Sequence, residues 1–272
     1  MLPQAILLTP SLDSAPAAAA PADPLLGGQT TVGRLLRTLA AAGVDEAIVV
    51  GPDDPRTALR AAGEDAGLEL TFVEVPADTP DGLMLLCARP HVHGPALCLT
   101  TSHVVSRELL SSLQDLAPAD GAVLAVDPNV ARAPDCAGTL RVTLADERVR
   151  LLGRDLADFA ALSTGVMITA PAVFAELARL DVPRIDVALG RLAHAGQLRA
   201  HDVGGALWQI VTSATARLQA EWMLRLFGDD LAAPAPSPAP RSGDAQRTLE
   251  HIRAVLAEKD ARHYLLLNPG PV

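Results

Sequence analysis

Apolar residues alternate along the first half of the chain between short continuous runs and longer stretches with helical spacing. The runs are typical of buried strands, and the stretches are typical of amphipathic helices that pack against them. The predicted strands cover residues 4–8, 47–50, 70–75, 96–99 and 122–126. The predicted helices cover residues 31–42, 55–66, 83–89 and 106–116. This alternation indicates a mostly parallel sheet with right-handed crossover connections.

The pattern changes after residue 139. Apolar stretches at 140–144 and 148–152 flank an Ala-Asp-Glu segment and predict a small antiparallel hairpin. Further strands are predicted at 165–169 and 198–203, and further helices at 171–180, 186–195 and 214–227. We therefore expect an α/β protein whose Rossmann-like, mostly parallel mixed sheet is sandwiched by helices.

The end of the chain has a different composition. Residues 229–243 are rich in proline and alanine, a composition that forms a semi-extended linker rather than a packed core. Helical spacing returns after the linker. We expect a main domain over residues 1–228, a linker over 229–243, and a helix followed by the chain end over 244–272.

Composition restricts the classes of partner. Hydrophobic residues make up 49% of the chain and aromatic residues only 3%, so the core must be built from alanine, leucine and valine. The net charge of -10 argues against a nucleic-acid partner, which requires a basic surface. No apolar run approaches the roughly 18 residues of a membrane span, and residues 1–10 do not resemble a signal peptide. We expect a cytoplasmic protein with no membrane partner.

The first candidate site is a polar break at residues 100–103, between the predicted strand 96–99 and the predicted helix 106–116. Open α/β sheets bind their ligands at the carboxyl ends of the strands. Polar residues at such a strand end are therefore candidates for ligand contact.

The cysteines and two of the histidines could bind a metal or react, but simpler interpretations are favoured. Cys87, Cys98 and Cys136 lie in or beside apolar runs without metal-ligand spacing, which favours buried, inert thiols. His91 and His93 have strand spacing but no third ligand nearby, so a surface loop is favoured over a metal site and no metal site is predicted.

Several linked segments resemble the MobA-like and sugar-phosphate nucleotidyltransferases, and the inositol-phosphate and 2-aminoethylphosphonate cytidylyltransferases most of all. The likeness extends over about residues 5–225, and its segments are residues 23–51, 79–110, 153–177 and 201–221. The resemblance implies a GT-A type nucleotidyltransferase fold. It also implies Mg²⁺ and CTP as cofactors of an active enzyme, with the metal held by two carboxylates.

The positions that the resemblance assigns to charged catalytic groups carry other residues. The first phosphate-binding lysine falls on Asp23, the metal-binding aspartate on Ser102, the aspartate of an Asp-x-Gly segment on Ser163, and an Asp-Val-Asp pair on Ile210 and Thr212. The second lysine falls on Arg154, and Lys259 is the only lysine in the chain. These replacements predict a nucleotidyltransferase fold that has lost its transfer chemistry.

Five residues remain candidates for a nucleotide or substrate pocket, each with an alternative. His103 either touches a ligand or caps the following helix, and Arg154 either grips a phosphate or is solvated. Asp81 and Gly82 either face a base or form the turn before a helix. Gly165 lies in the Asp-x-Gly segment of the resemblance.

The last residues give a separate indication. Residues 264–272, with Asn-Pro-Gly-Pro near the end, resemble the start of the pyridoxal-phosphate aminotransferases that act on 2-aminoethylphosphonate. This resemblance implies a fusion with, or a partner from, that class of aminotransferase in phosphonate metabolism.

Three functions stay open on the sequence. The first is a catalytically degenerate domain that binds a nucleotide weakly or serves as a scaffold. The second is an active CTP-dependent cytidylyltransferase with relocated ligands, with Asp127 and Asp202 as candidates. The third is a non-catalytic docking or dimerisation module, in which a homodimer is one assembly.

Overall fold

The computed structural model describes residues 2–9, 25–26, 29–52, 56–116, 121–132 and 138–232. The strands are β1 (Gln4–Leu8), β2 (Leu25–Leu26), β3 (Gln29–Thr30), β4 (Glu46–Gly51), β5 (Glu69–Glu74), β6 (Ala96–Thr100), β7 (His103–Val105), β8 (Ala122–Asp127), β9 (Arg141–Ala145), β10 (Arg148–Gly153), β11 (Ala161–Thr169), β12 (Leu198–Asp202) and β13 (Trp208–Ile210). The helices are α1 (Thr31–Ala41), α2 (Arg56–Ala66), α3 (Asp81–Ala88), α4 (Arg107–Gln114), α5 (Pro171–Ala178), α6 (Ile185–His194) and α7 (Ala214–Ala232).

The main sheet is mixed and mostly parallel, as predicted. Within the described residues its strand order is β5-β4-β1-β6-β11-β8-β12-β10-β9. β1 pairs in parallel with β4 and β6, whereas β11 runs antiparallel between β6 and β8. The parallel strands consequently end at one edge, and β11 begins at that edge.

Helices cover both faces of this sheet. Leucines of α1, α2 and α4 pack on one face. Apolar side chains of α3, α5 and α6 pack on the other. The core consists mainly of leucine, valine and alanine, because the chain has few aromatic residues, and Trp208 is among its largest fully buried side chains.

Local signals explain the ends of the helices. Thr30 caps α1 by accepting a hydrogen bond from the Gly33 N–H, and Gly43 adopts a positive φ of 87° just after the helix. Ser106 caps α4 in the same way, at 3.3 Å from the Leu109 nitrogen.

Two features differ from the sequence-based expectations. β7 and β13 form an antiparallel pair that the pattern did not predict, because each has three residues and its partner lies about a hundred positions away. Helix α7 continues to Ala232, past residue 229 where the linker was expected to begin. Alanine and leucine favour the helix until Pro234, whose ring is incompatible with a helix interior.

Some expectations lie outside the described residues. They concern Asp23, Cys136, Lys259 and the segment 233–272 with its resemblance to an aminotransferase. Across the described residues, no helix combines the length and the apolar character that crossing a membrane requires.

Two helical glycines provide a test of the packing between α3 and the residues before α6. A Cβ on Gly82 would lie 2.6 Å from the Pro183 carbonyl carbon and the Arg184 nitrogen, whereas a Cβ on Gly190 in α6 meets nothing within 4 Å. We predict that Gly82→Ala lowers the free energy of unfolding by about 1–3 kcal/mol. Gly190→Ala should raise it by about 0.5–1 kcal/mol. Urea denaturation measures both, and equal effects would contradict the close packing at Gly82.

Candidate functional site

The carboxyl edge of the parallel strands is the structural counterpart of the polar break. β6 ends at Thr100, beside Leu8 at the end of β1, and the Thr101 N–H donates to the Leu8 carbonyl at 2.9 Å. β8 ends at Asp127, which pairs with Leu162 near the start of β11. Residues from four strands therefore meet at one edge of the sheet.

Three segments that are distant in sequence converge here. β7 and β13 place Ile210 opposite His103, and the Val211 N–H donates to the Ser102 carbonyl at 2.9 Å. Thr212 thus lies next to the residue paired with Ser102. A Cβ on Gly165 would lie 2.7 Å from His103 Nε2 and 3.1 Å from the Ile210 Cδ1 atom, so β11 touches both segments.

The side chains at this convergence are hydroxyls rather than carboxylates. The Ser102 and Thr100 hydroxyl oxygens are 2.7 Å apart. Ser163 is buried and its Oγ accepts a hydrogen bond from the Gly165 N–H at 3.1 Å. Thr212 is exposed. Thr100, Ser102, Ser163 and Thr212 therefore offer neutral oxygens to a ligand.

His103 is fully enclosed and internally bonded. Its Nε2 lies 3.0 Å from the Thr164 carbonyl and its Nδ1 lies 3.1 Å from the Thr100 carbonyl, and both carbonyls can only accept. Because the Thr100 N–H also donates to Nδ1, we assign the proton to Nε2. Its Nδ1 then accepts from the Thr100 N–H at 3.0 Å and faces the Thr100 hydroxyl at 2.8 Å. Burial lowers the pKa of His103, since the charged form would be desolvated. The ring joins β6 to β11, and Ser106 rather than His103 caps α4.

Position 165 accepts only glycine in this arrangement. Its φ of 78° lies in the left-handed region, and the ring of His103 fills the space that a side chain would need. The register of β11 shifts between Ser163 and Met167, as expected for a bulge at this glycine.

Asp127 is the buried carboxylate of the edge, and it is already bonded on both oxygens. Oδ2 accepts from Arg132 Nη1 at 2.9 Å and from Trp208 Nε1 at 2.8 Å, and Oδ1 accepts from the Asn129 N–H at 2.9 Å. The Arg132 guanidinium also stacks on the Trp208 ring at 4.6 Å and donates to the Trp208 carbonyl. Three of the roughly four acceptor positions of this carboxylate are therefore in use, and Arg132 compensates its charge.

Sequence reasoning did not find this Asp127–Arg132–Trp208 cluster. It placed Trp208 in the core, where it is buried, and Asp127 among the relocated metal ligands. The partners are up to 81 residues apart, so no local pattern connects them. The signal available in the sequence was an aspartate at the end of an apolar strand.

Asp202, the other relocated-ligand candidate, faces away from Asp127. In the parallel pair β12–β8, Asp202 is in register with Val126, and successive strand residues point to opposite faces. Asp202 is exposed and its Oδ1 accepts from the Gly204 N–H at 2.8 Å. Within the described residues, no group of three or more His, Cys, Asp or Glu side chains is arranged to hold a metal ion.

The remaining pocket candidates make structural contacts. Asp81 begins α3, and its Oδ1 accepts from the N–H groups of Gly82 at 2.6 Å and of Ile185 at 3.3 Å. Gly82 is buried against the backbone of residues 183–184. Arg154 is exposed and donates to the Gly138 carbonyl.

The histidine pair and the described cysteines are remote from this edge. His91 and His93 are exposed at the opposite edge, before β6, where their backbone groups bond to the Gln4 side chain. Cys98 is buried, which raises the pKa of its thiol, and Cys87 is half-buried.

Comparison with solved structures identifies the fold. The inositol-1-phosphate CTP transferase from T. maritima superposes with a TM-score of 0.71 and 16% identity, over 83% of this chain and 96% of that one. A UDP-glucose pyrophosphorylase complexed with UDP-glucose gives a TM-score of 0.67 and 10% identity, over 83% and 99% of the two chains. The UDP-glucose pyrophosphorylase from Acinetobacter baumanii gives 0.66 and 14%, over 85% and 96%.

The chain has the nucleotidyltransferase fold. This confirms the fold that the segment resemblance implied, and the convergence of Ser102, Ile210 and Gly165 occurs within that fold. No protein-family model matches the chain, and no curated protein matches it.

The Asp127 cluster predicts that substituting Asp127 lowers the free energy of unfolding far more than substituting Asp202 does. We predict that Asp127→Asn lowers the free energy of unfolding by about 2–4 kcal/mol, because Arg132 loses its counter-charge and the amide cannot replace both acceptors. Asp202→Asn, at an exposed position, should change it by less than about 0.5 kcal/mol. Chemical denaturation measures both values. A loss under about 1 kcal/mol for Asp127→Asn would contradict the role given to the cluster.

The enclosed His103 predicts a pH dependence. Its folded-state pKa lies below the ordinary 6.5, so the unfolded chain binds the proton more readily. Stability from neutral His103 is therefore present above about pH 6.5 and lost as the pH falls below it. We expect the melting temperature to fall between about pH 7.5 and 5.5, and the fall to be smaller in His103→Asn.

His201 is the control for this measurement. Its pKa is also lowered, chiefly by burial, but it is only half-buried and bonds the Ser112 hydroxyl at 2.9 Å. His201→Gln should change the pH slope less than His103→Asn does. Identical slopes in wild type and His103→Asn would refute the assignment.

Proposed function

We propose that this chain is a nucleotidyltransferase-type domain that has lost the transfer reaction. It retains at most weak nucleotide binding and serves as a scaffold. Its ancestral chemistry is that of a CTP-dependent phosphonate or phosphoalcohol cytidylyltransferase, and its role lies in phosphonate metabolism as the N-terminal part of an aminotransferase fusion. The observation that carries the loss of chemistry is the set of neutral side chains where β6, β11 and β13 converge.

Metal binding is the first requirement that is missing. Nucleotidyl transfer needs Mg²⁺ between the triphosphate and the attacking oxygen, and hard cations of this kind are held by carboxylates. Ser102 and Thr212, which stand where the resemblance expects carboxylates, supply hydroxyls. Asp127 is neutralised by Arg132, and Asp202 belongs to the other face of the sheet. Neither aspartate therefore supplies a carboxylate beside Ser102.

Neutralisation of the phosphates is the second requirement. Arg132 is held by Asp127 and stacked on Trp208, so its charge is already compensated. Arg154 lies on the surface and is bonded to Gly138. The chain carries a net charge of -10, which disfavours a triphosphate further.

The substrate class rests on resemblance. The T. maritima protein with the same fold is an inositol-1-phosphate CTP transferase, which supports CTP as the nucleotide. Residues 264–272 resemble the start of 2-aminoethylphosphonate aminotransferases, which supports a small aminophosphonate as the second ligand. Both inferences belong to the proposal.

Isothermal titration calorimetry with CTP and Mg²⁺ tests the loss of metal-dependent binding. We expect no Mg²⁺-dependent binding tighter than about 100 μM, because two neutral hydroxyls replace the carboxylates that the cation needs. The matched variant is the double substitution Ser102→Asp with Thr212→Asp, which puts carboxylates at the two positions where the resemblance expects them and should introduce Mg²⁺-dependent binding.

A transfer assay tests the active alternative directly. Wild-type protein, CTP, Mg²⁺ and 2-aminoethylphosphonate are combined, and pyrophosphate release is measured. Release above the no-enzyme rate, abolished by Asp127→Asn or Asp202→Asn under conditions where the variant stays folded, would replace the proposal with an enzyme that uses relocated ligands.

A further inference from the structure

Helix α7 has apolar side chains on two opposite faces. On the inner face, Ala220 and Leu224 are buried with Val104 and Val211. On the outer face, Leu218, Trp222 and Leu226 are 66%, 56% and 38% exposed. An exposed tryptophan flanked by two exposed leucines is costly in water, and such a patch marks an interaction surface.

The outer residues form one continuous ridge. They are spaced four residues apart, so at about 100° per residue they fall within a narrow sector of the helix surface. The other exposed large apolar residues of the described chain lie on other elements or loops, and none of those helices or strands carries more than one of them: Leu83, Val130, Leu151, Val182 and Val187. The ridge is therefore a property of α7 and not of the surface in general.

Charged residues border the ridge on one side. Arg217 donates to Glu221 at 3.1 Å, and Arg225 lies one turn further along the same side. Arg225 is exposed, and among the described residues no carboxylate lies within ion-pair distance of its guanidinium. Among Arg217, Glu221 and Arg225, the first two are paired and Arg225 is the remaining positive charge.

We propose that the α7 ridge packs against α7 of a second copy of this chain, antiparallel about a two-fold axis at Trp222. Closed two-fold symmetry is the commonest arrangement of identical chains, and it pairs one surface with itself. The ridge then buries Trp222 against its symmetry mate, with Leu218 of each copy near Leu226 of the other.

Charge complementarity supports a second copy of the chain as the partner of the ridge. With a rise of about 1.5 Å per residue, Arg225 lies about 4.5 Å to one side of the axis and Glu221 about 1.5 Å to the other. The two-fold rotation brings Glu221 of the second copy to the side of Arg225, within about 3 Å along the helix direction. Two symmetric Arg225–Glu221 pairs result, and each Arg225 gains the partner that it lacks. This proposal is independent of whether the sheet edge binds a nucleotide.

Sedimentation of the chain of 272 residues over a range of concentrations tests the dimer. We expect a dimer that Leu218→Asp and Trp222→Asp dissociate, with the dissociation constant raised at least about tenfold. Leu151→Asp is the matched control, because Leu151 is 59% exposed on β10, away from α7, and the same substitution there should leave the dimer intact.

A charge exchange tests the orientation. Arg225→Glu should weaken the dimer, and adding Glu221→Arg should restore it, since the reversed pairs form again across the axis. A wild-type chain that stays monomeric at about 100 μM overturns the proposal, because the ridge is then covered by another partner or by residues of the same chain. A dimer that survives Trp222→Asp, or an exchange that restores nothing, overturns it as well.

Discussion

The close contact between Gly165 and the ring of His103 joins the elements that form the candidate site. β11 can approach the polar break at residues 100–103 only because Gly165 has no side chain and tolerates a φ of 78°. The ring in turn donates to the Thr164 carbonyl of β11 and accepts from Thr100 of β6. The geometry of the edge therefore depends on a neutral imidazole and a glycine fitting against each other, and Ile210 of β13 closes the same space.

The charges of Asp127 and Arg132 at this edge stabilise the fold. A buried carboxylate normally costs several kcal/mol unless it is paired, and Asp127 meets that condition with Arg132, Trp208 and Asn129. The cluster ties β8 to β13, which carries Ile210 into the site. The buried Asp127 carboxylate is thus part of the packing.

The sequence predicted the regular elements well where local chemistry defines them. Helix α1 was expected at 31–42 and lies at Thr31–Ala41, since Thr30 and Gly43 mark its two ends. The pair β7–β13 escaped prediction because three-residue strands have no periodicity and their pairing is long-range. The positions Ser102 and Thr212 were singled out only by the resemblance to nucleotidyltransferases, and their segments meet through the bond from the Val211 N–H to the Ser102 carbonyl. The bonding of Asp127 to Trp208 depends on tertiary packing, which a residue pattern does not encode.

The Asp127 cluster also constrains how such a chain can evolve. A single substitution that freed Asp127 for a cation, such as loss of Arg132, would leave a buried anion uncompensated and weaken the junction of β8 with β13. The requirement for a counter-charge at Asp127 therefore limits substitution at Arg132, although Arg132 itself is only partly buried.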